Sequence, residues 1–233
     1  MQAVILAGGQ GTRLRPVVSD VPKPLAPIGG RPFLAIVLDH LERQGVSDVI
    51  LAVGYMGGAI ERTLGHSHGA IALRYVYEDA PLGTGGALRK ALAEVERFPV
   101  LAMNGDTYLD IDLDAMVGTH AAAAARLSVA VRHVDDTGRY GRVVVEHGRI
   151  IGFSRGKANR PGLINCGVYV FSENLLSRPD LPERFSFEKD FLERHVAEIA
   201  PLAIEARGYF IDIGVPEDYA RAAQKLSTSR CRA

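Results

Sequence analysis

Ala3-Val4-Ile5-Leu6-Ala7-Gly8-Gly9-Gln10-Gly11-Thr12-Arg13-Leu14-Arg15-Pro16 is the stretch on which the fold turns. Ala3 to Ala7 form an apolar run with the length and composition of a buried strand. Glycines follow at once, and a glycine-rich turn at the end of such a strand lets backbone N–H groups approach a phosphate closely. Arg13 lies within the loop, and Lys23 follows between Pro22 and Pro24. Arginine offers a planar fork to phosphate oxygens and lysine a compact charge. Either cation alone reads as a surface charge. Their pairing with the glycine turn points to a nucleoside triphosphate held, and attacked, at its phosphates.

Two familiar loops are excluded. No Gly-Lys-Ser/Thr follows, so this is not a P-loop. Leu14 stands where a dinucleotide fingerprint needs its third glycine, and no acidic residue follows a second strand at the required distance, so a Rossmann oxidoreductase is a poor reading.

Composition narrows the field further. A length of 233 residues suits one domain, or two at most, with a real core. Lys+Arg and Asp+Glu balance at 27 each, so no overall charge draws the chain to nucleic acid or anionic lipid. No stretch reaches membrane-spanning length, and the start lacks a basic signal-peptide region. Two cysteines, Cys166 and Cys231, make no disulfide framework. A cytoplasmic protein that binds phosphate locally is expected. The seven histidines show no metal-ligand spacing.

Strand-like and helical runs alternate through the first half: a helix near 33–44, a strand at 49–53, a helix over 57–64, a strand at 70–77, a helix over 85–95 and a strand at 100–103. That alternation predicts a mainly parallel sheet covered on both faces. The second half reads as extra strands at 127–133, 142–146, 150–153 and 163–171, with a hairpin turn at His147-Gly148. A helix near 187–197, a strand pair around 202–213 and a helix over 216–226 complete the pattern. Ala121 to Ala125 reads as helix-forming filler. The fold class is α/β, a single-domain Rossmann-like three-layer fold with a mixed, mainly parallel central sheet. The pattern divides the domain into a first half at residues 1–110 and a second at residues 111–233.

Asp106 and Asp212 each end an apolar run. In open α/β sheets ligands bind outside the carboxyl ends of strands, so two such carboxylates could share one hard cation. The plain alternatives are a turn residue after Asn104-Gly105 and a surface carboxylate. Asp110 and Asp112 are rival ligands, or a cap for the next helix.

Four motifs extend the pattern: Val21-Pro22-Lys23-Pro24, Pro81-Leu82-Gly83-Thr84-Gly85-Gly86-Ala87-Leu88, Asn165-Cys166-Gly167-Val168-Tyr169 and Phe210-Ile211-Asp212-Ile213-Gly214-Val215-Pro216. With the first glycine turn and Asn104-Gly105-Asp106, the chain resembles the sugar-phosphate nucleotidylyltransferases along nearly its whole length. Val17 to Ile28 and the short length resemble the branch of guanylyltransferases that make a GDP-manno-heptose.

The resemblance implies transfer of GMP from GTP to a sugar 1-phosphate, with Mg²⁺ as cofactor on Asp106 and Asp212, Arg13 on the leaving pyrophosphate and Lys23 on the α-phosphate. Nucleotide contacts would come from Leu6, Ala7, Gly8, Gly9, Gly11, Thr12, Arg13, Lys23, Tyr55, Glu78, Gly83, Thr84 and Asp106. Glu78 would read guanine, whose N1–H and N2–H₂ are adjacent donors that one carboxylate can accept together; Asp79 is the alternative, and a solvated acidic pair the plain reading. Tyr55 lines the pocket or packs at the core edge.

On the sugar side Gly141, Asn165, Glu188 and a cation are implied. Phe153-Ser154-Arg155-Gly156-Lys157 departs from the family's Glu-Lys pattern, leaving Lys157 or Arg155 for the sugar phosphate. Gly141 also reads as a turn, Asn165 as a residue satisfying backbone, and Glu188 as a solvated helix position. A homodimer, a heptose acceptor and a product destined for surface polysaccharide follow from the resemblance, with mannose 1-phosphate as the rival acceptor. A non-catalytic nucleotide-sugar-binding subunit would be expected to lose one of Arg13, Lys23, Asp106 or Asp212, and all four are present.

Overall fold

The computed structural model describes residues 1–154 and 160–227. Its strands are β1 (Gln2–Leu6), β2 (Pro27–Ile28), β3 (Arg31–Pro32), β4 (Asp48–Val53), β5 (Ser67–His68), β6 (Ile71–Tyr77), β7 (Val100–Asn104), β8 (Thr107–Leu109), β9 (Leu127–Val134), β10 (Arg142–Glu146), β11 (Arg149–Ser154), β12 (Gly162–Phe171), β13 (Leu202–Glu205) and β14 (Phe210–Asp212). Its helices are α1 (Phe33–Arg43), α2 (Gly57–Leu64), α3 (Gly83–Leu92), α4 (Leu113–Ala122), α5 (Val196–Ile199) and α6 (Pro216–Leu226).

Ten strands form one mixed sheet in the order β10-β11-β13-β9-β12-β7-β1-β4-β6-β5. Strand β1 pairs in parallel with β4 and β7, and β4 with β6. Their residues are buried on both faces, which requires the near-continuous apolar runs seen in the sequence. Ile5 belongs to the core on one face with Phe33, Leu34, Val37, Leu38 and Leu41 of α1. Those five recur on a single stripe of that helix. Val4 points to the other face, with Leu88 and Leu92 of α3 and with Phe187 and Phe191.

The second half departs from the expectation of a mainly parallel sheet. Only β13 runs parallel there, beside β9; β12 lies antiparallel to both β7 and β9. Strand β10 pairs with both β11 and β12, and β11 with β13, so β10, β11, β13, β9 and β12 close into a ring of five. Parallel pairing thus dominates only where helical crossovers separate the strands. Where strands follow each other through short turns such as His147-Gly148, antiparallel pairing takes over.

Two further expectations are corrected. The helix near 187–197 is broken: Phe187–Leu192 forms a π-helical turn, and α5 follows separately. The strands around 202–213 do not pair with each other. Strand β13 joins the large sheet, whereas β14 pairs with β8. Helix α6 begins as expected, with Pro216 at its first position and Glu217 and Asp218 in its first turn. The alanine run ends α4, where Ala124 adopts a positive φ of 44°. No helix among the described residues is long and apolar enough to cross a membrane.

Candidate active site

The carboxyl ends of β1, β4 and β7 open into a cleft of about 780 Å³, lined by Leu6, Ala7, Gly8, Gly9, Gly11, Thr12, Arg13, Lys23, Tyr55, Glu78, Gly83, Thr84 and Asp106. This is where an open parallel sheet places its ligand. A second cavity of about 510 Å³ adjoins it, lined by Gly141, Asn165, Glu188 and Asp212. Arg13 lines both, at their junction.

The glycine turn is shaped by what approaches it as well as by its amides. Gly11 has φ +59°, and a Cβ there would lie 2.8 Å from Cβ of Lys23. A Cβ on Gly8 would overlap Oε1 of Glu78. Small residues therefore let the lysine crowd onto the turn at Gly11 and the glutamate at Gly8.

Lys23 leaves a short 3-10 turn whose prolines Pro22 and Pro24 fix its direction. Its ammonium hydrogen-bonds Asp106 and lies 3.5 Å from Oδ1 of Asp212. Asp106 and Asp212 are 106 residues apart in sequence but converge because β14 pairs with β8. That register sets Asp212 opposite Thr107, the residue after Asp106, and the N–H of Ile213 donates to the carbonyl of Asp106 at 3.0 Å. The Gly214 N–H donates to Oδ1 of Asp212 at 2.7 Å and fixes its rotamer.

The two carboxylates gather positive charge: the ammonium of Lys23 lies between them, and the Arg139 guanidinium lies 3.4 Å from Oδ2 of Asp212. Two carboxylates, completed by phosphate oxygens and water, are the donor set that Mg²⁺ favours. Among the described residues no group of three His, Cys, Asp or Glu side chains converges, so such an ion would depend on these two and on substrate oxygens. Of the two rivals, Asp112 is engaged elsewhere: its carboxylate caps α4 by accepting from the Ala115 N–H at 2.8 Å.

Glu78 follows β6, and its Oε2 accepts the Leu82 N–H at 2.9 Å. Burial raises its pKa above the ordinary carboxylate value, against the lowering effect of that N–H and of Lys90. Oε1 faces Gly8 and Gly54. Asp79 is exposed and pairs with Lys90 at 3.3 Å. Tyr55 is 39% exposed, with the Arg15 guanidinium 5.3 Å from its ring centre.

The second glycine motif packs on the segment around Phe185, whose ring and carbonyl would collide with side chains at Gly85 and Gly83. The Thr84 hydroxyl donates to Oε2 of Glu188 at 2.9 Å, so a residue expected on the nucleotide side joins one expected on the sugar side. Asn165 is committed within its strand: Oδ1 accepts from the Gly167 N–H and Nδ2 donates to the buried Tyr169 hydroxyl, both at 2.9 Å. These bonds span the register shift between β12 and β9. Arg155 and Lys157 lie outside the described residues.

Sequence reading missed three cations. Arg184 lines the first cavity, and Arg139 and Arg142 line the second. Arg139 precedes Tyr140-Gly141, and that adjacency was the only available signal.

A cleft at strand ends, with a glycine turn, two cations and two converging carboxylates, defines a nucleotidyltransferase-type site. The chain belongs to the nucleotidyl transferase family, which it matches over residues 2–229. It is 40% identical over 226 residues to D-glycero-alpha-D-manno-heptose 1-phosphate guanylyltransferase of Aneurinibacillus thermoaerophilus, covering 97% of this chain and 98% of that protein. It is 34% identical to mannose-1-phosphate guanyltransferase beta-B of Xenopus laevis, covering 94% of this chain and 62% of that one. The crystal structure of HddC from Yersinia pseudotuberculosis superposes with a TM-score of 0.85 at 35% identity, covering 97% of this chain and 99% of that one. The same protein has been solved in complex with GMP-PN.

Proposed function

We propose that this protein transfers GMP from GTP to D-glycero-α-D-manno-heptose 1-phosphate, releasing pyrophosphate and GDP-heptose. The observation that carries this reading is the meeting of Arg13, Lys23, Asp106 and Asp212 where the two cavities join. One cavity takes the nucleotide and the other the sugar phosphate. The near-full-length similarity to a heptose 1-phosphate guanylyltransferase selects the acceptor. Mannose 1-phosphate is the second reading, since a mannose-1-phosphate guanyltransferase matches most of this chain at 34% identity.

In this reading an oxygen of the sugar phosphate attacks the α-phosphorus of GTP. The new P–O bond forms as the bond to the β-phosphate's bridging oxygen breaks, and its electron pair leaves on pyrophosphate. The acceptor oxygen is already ionised, so no protein nucleophile is required. Catalysis is positioning and neutralisation of charge. Backbone amides of Gly8 to Thr12 cradle the triphosphate and Arg13 holds the leaving group. Lys23, directed by its prolines, neutralises the α-phosphate. Leu6, Ala7, Tyr55, Gly83 and Thr84 surround the nucleoside, and Glu78 accepts from guanine N1–H and N2–H₂. Asp106 and Asp212 would hold Mg²⁺, which supplies charge stabilisation at the phosphates when bound. Gly141, Asn165 and Glu188 line the sugar's cavity, and Arg155 and Lys157 are candidates for its phosphate.

We read the chain as one unit with a nucleotide half at 1–110 and a sugar-phosphate half at 111–233. The sheet flanked by α1 and α3 supports a Rossmann-like, three-layer description of the first half. We read the protein as a cytoplasmic homodimer serving surface polysaccharide synthesis; of these, the compartment accords with the buried free thiol of Cys166. Pyrophosphate release should be measured for GTP, ATP, UTP and dTTP crossed with heptose-, mannose- and glucose-1-phosphates. Highest turnover with GTP and the heptose is expected. Preference for another pair would replace the assignment, and no release with any pair would remove it.

A further inference from the structure

Arg139 stands out among groups that the reading above leaves unused. It lies in the loop between β9 and β10 and lines the second cavity with Arg13 and Asp212. Its Nη1 donates to Asp218, whose side chain is 1% exposed in the first turn of α6. Arg221 pairs with the same carboxylate from the solvent side. Nη2 of Arg139 faces the site and reaches Oδ2 and the carbonyl of Asp212, both at 3.4 Å. The guanidinium also lies 4.9 Å from the ring centre of Tyr140, which packs edge-on against Phe210.

The two edges of this guanidinium are therefore unequal. One is anchored in the protein by a buried carboxylate, and by ring stacking that limits rotation. The other makes only long contacts, well beyond the usual 2.9–3.0 Å of an N–H···O bond. Such contacts are weak, so that edge gives up little by turning to a better acceptor. Phosphate oxygens within hydrogen-bonding distance are better acceptors for a guanidinium than a carbonyl and a carboxylate oxygen both held at 3.4 Å. The edge opens on the cavity assigned to the sugar 1-phosphate, beside the carboxylates where phosphoryl transfer would occur.

We propose that Arg139 binds the acceptor, its Nη2 edge taking an oxygen of the sugar 1-phosphate while Asp218 fixes the opposite edge. This rests on the reading of the second cavity as the acceptor site. It gives that site a preoriented cation held in place by Asp218.

The test compares Arg139→Gln, Arg139→Lys and Arg221→Ala by steady-state kinetics, Mg²⁺ titration and calorimetric binding of heptose 1-phosphate. Arg139→Gln should raise the acceptor KM about tenfold or more and weaken acceptor binding in parallel, with the KM for GTP within about twofold. Arg139→Lys should lie between wild type and Arg139→Gln, and it also covers the case in which the Gln variant fails to fold. Arg221→Ala, which disturbs Asp218 from outside the cavity, should leave both KM values within about twofold. An unchanged acceptor KM in active Arg139→Gln protein overturns the proposal and leaves the guanylyltransferase reading intact. So does a change confined to the Mg²⁺ requirement, which would make Arg139 a support for Asp212 alone. Equal effects from Arg221→Ala would reduce Arg139 to packing of α6. A wild-type protein that turns over no sugar 1-phosphate removes both the proposal and the reading beneath it.

Discussion

Gly8 and Glu78 are packed so closely that a Cβ on the glycine would overlap the glutamate's Oε1. One residue closes the first strand–turn unit and the other follows β6. The glycine turn thus helps to set where the acidic side chain sits, in addition to offering amides. Gly8→Ala must push Glu78 aside, and overpacking of this kind costs about 1–3 kcal/mol. We expect kcat/KM for GTP to fall by about tenfold or more. Kinetics beside a circular dichroism spectrum would check this; native-like activity would mean that Glu78 can shift without consequence.

Glu78→Gln should reduce the preference for GTP over UTP and dTTP, because an amide cannot accept from both guanine donors as a carboxylate does. Burial raises the Glu78 pKa, so its proton leaves at a higher pH than for an ordinary carboxylate. GTP affinity in the wild type should therefore strengthen as pH rises through that raised pKa. The Gln variant should lack that step. The sign for folding is opposite: a raised pKa contributes stability at low pH that is lost as pH rises through the folded value. Affinity titrations across the acid range would expose either pattern.

Asp106→Asn and Asp212→Asn should each lower Mg²⁺-dependent turnover by about 100-fold or more, the scale of losing a principal charge-stabilising group. Asp106→Asn should also cost stability. The Lys23 side chain is only 9% exposed, and it would keep a single charged partner at 3.5 Å. With Asp106 itself 32% exposed, the loss should be about 1–3 kcal/mol. Thermal melts without nucleotide would report it, and near-normal turnover in either variant would take that residue out of the metal reading.

Asp218→Ala should destabilise the fold more than most surface changes. It would leave Arg139 and Arg221 facing each other with no carboxylate between them. Both arginines reach solvent, so the cost should be about 1–3 kcal/mol, a fall in Tm of roughly 2–4 °C per kcal/mol for a chain of this size. An unchanged Tm would show that the buried carboxylate contributes no net stability.

Local signals were legible where they are strong. The apolar strands of the first half, α2 and α6, the His147-Gly148 turn and the Asp112 cap could all be read because period, capping and turn chemistry act over a few residues. The ring of five strands was not legible, because antiparallel partners are chosen by packing and closure and leave no mark on a single strand's pattern. The break after Leu192 and the destination of β14 were hidden for the same reason. Arg139 escaped notice because one arginine before Tyr140-Gly141 carries no spacing signal until Asp212 and Asp218 stand beside it.

By itself the sequence pointed to phosphate chemistry, because a glycine turn on a buried strand with two placed cations is a short-range pattern; the class came from the resemblance of its motifs to a known family. Tertiary structure alone decided that Asp106 and Asp212 meet. The pairing of β14 with β8 sets Asp212 opposite Thr107, next to Asp106, and Lys23 bridges the result. That register depends on backbone hydrogen bonds between segments about a hundred residues apart. Such bonds are specific in space and silent in sequence.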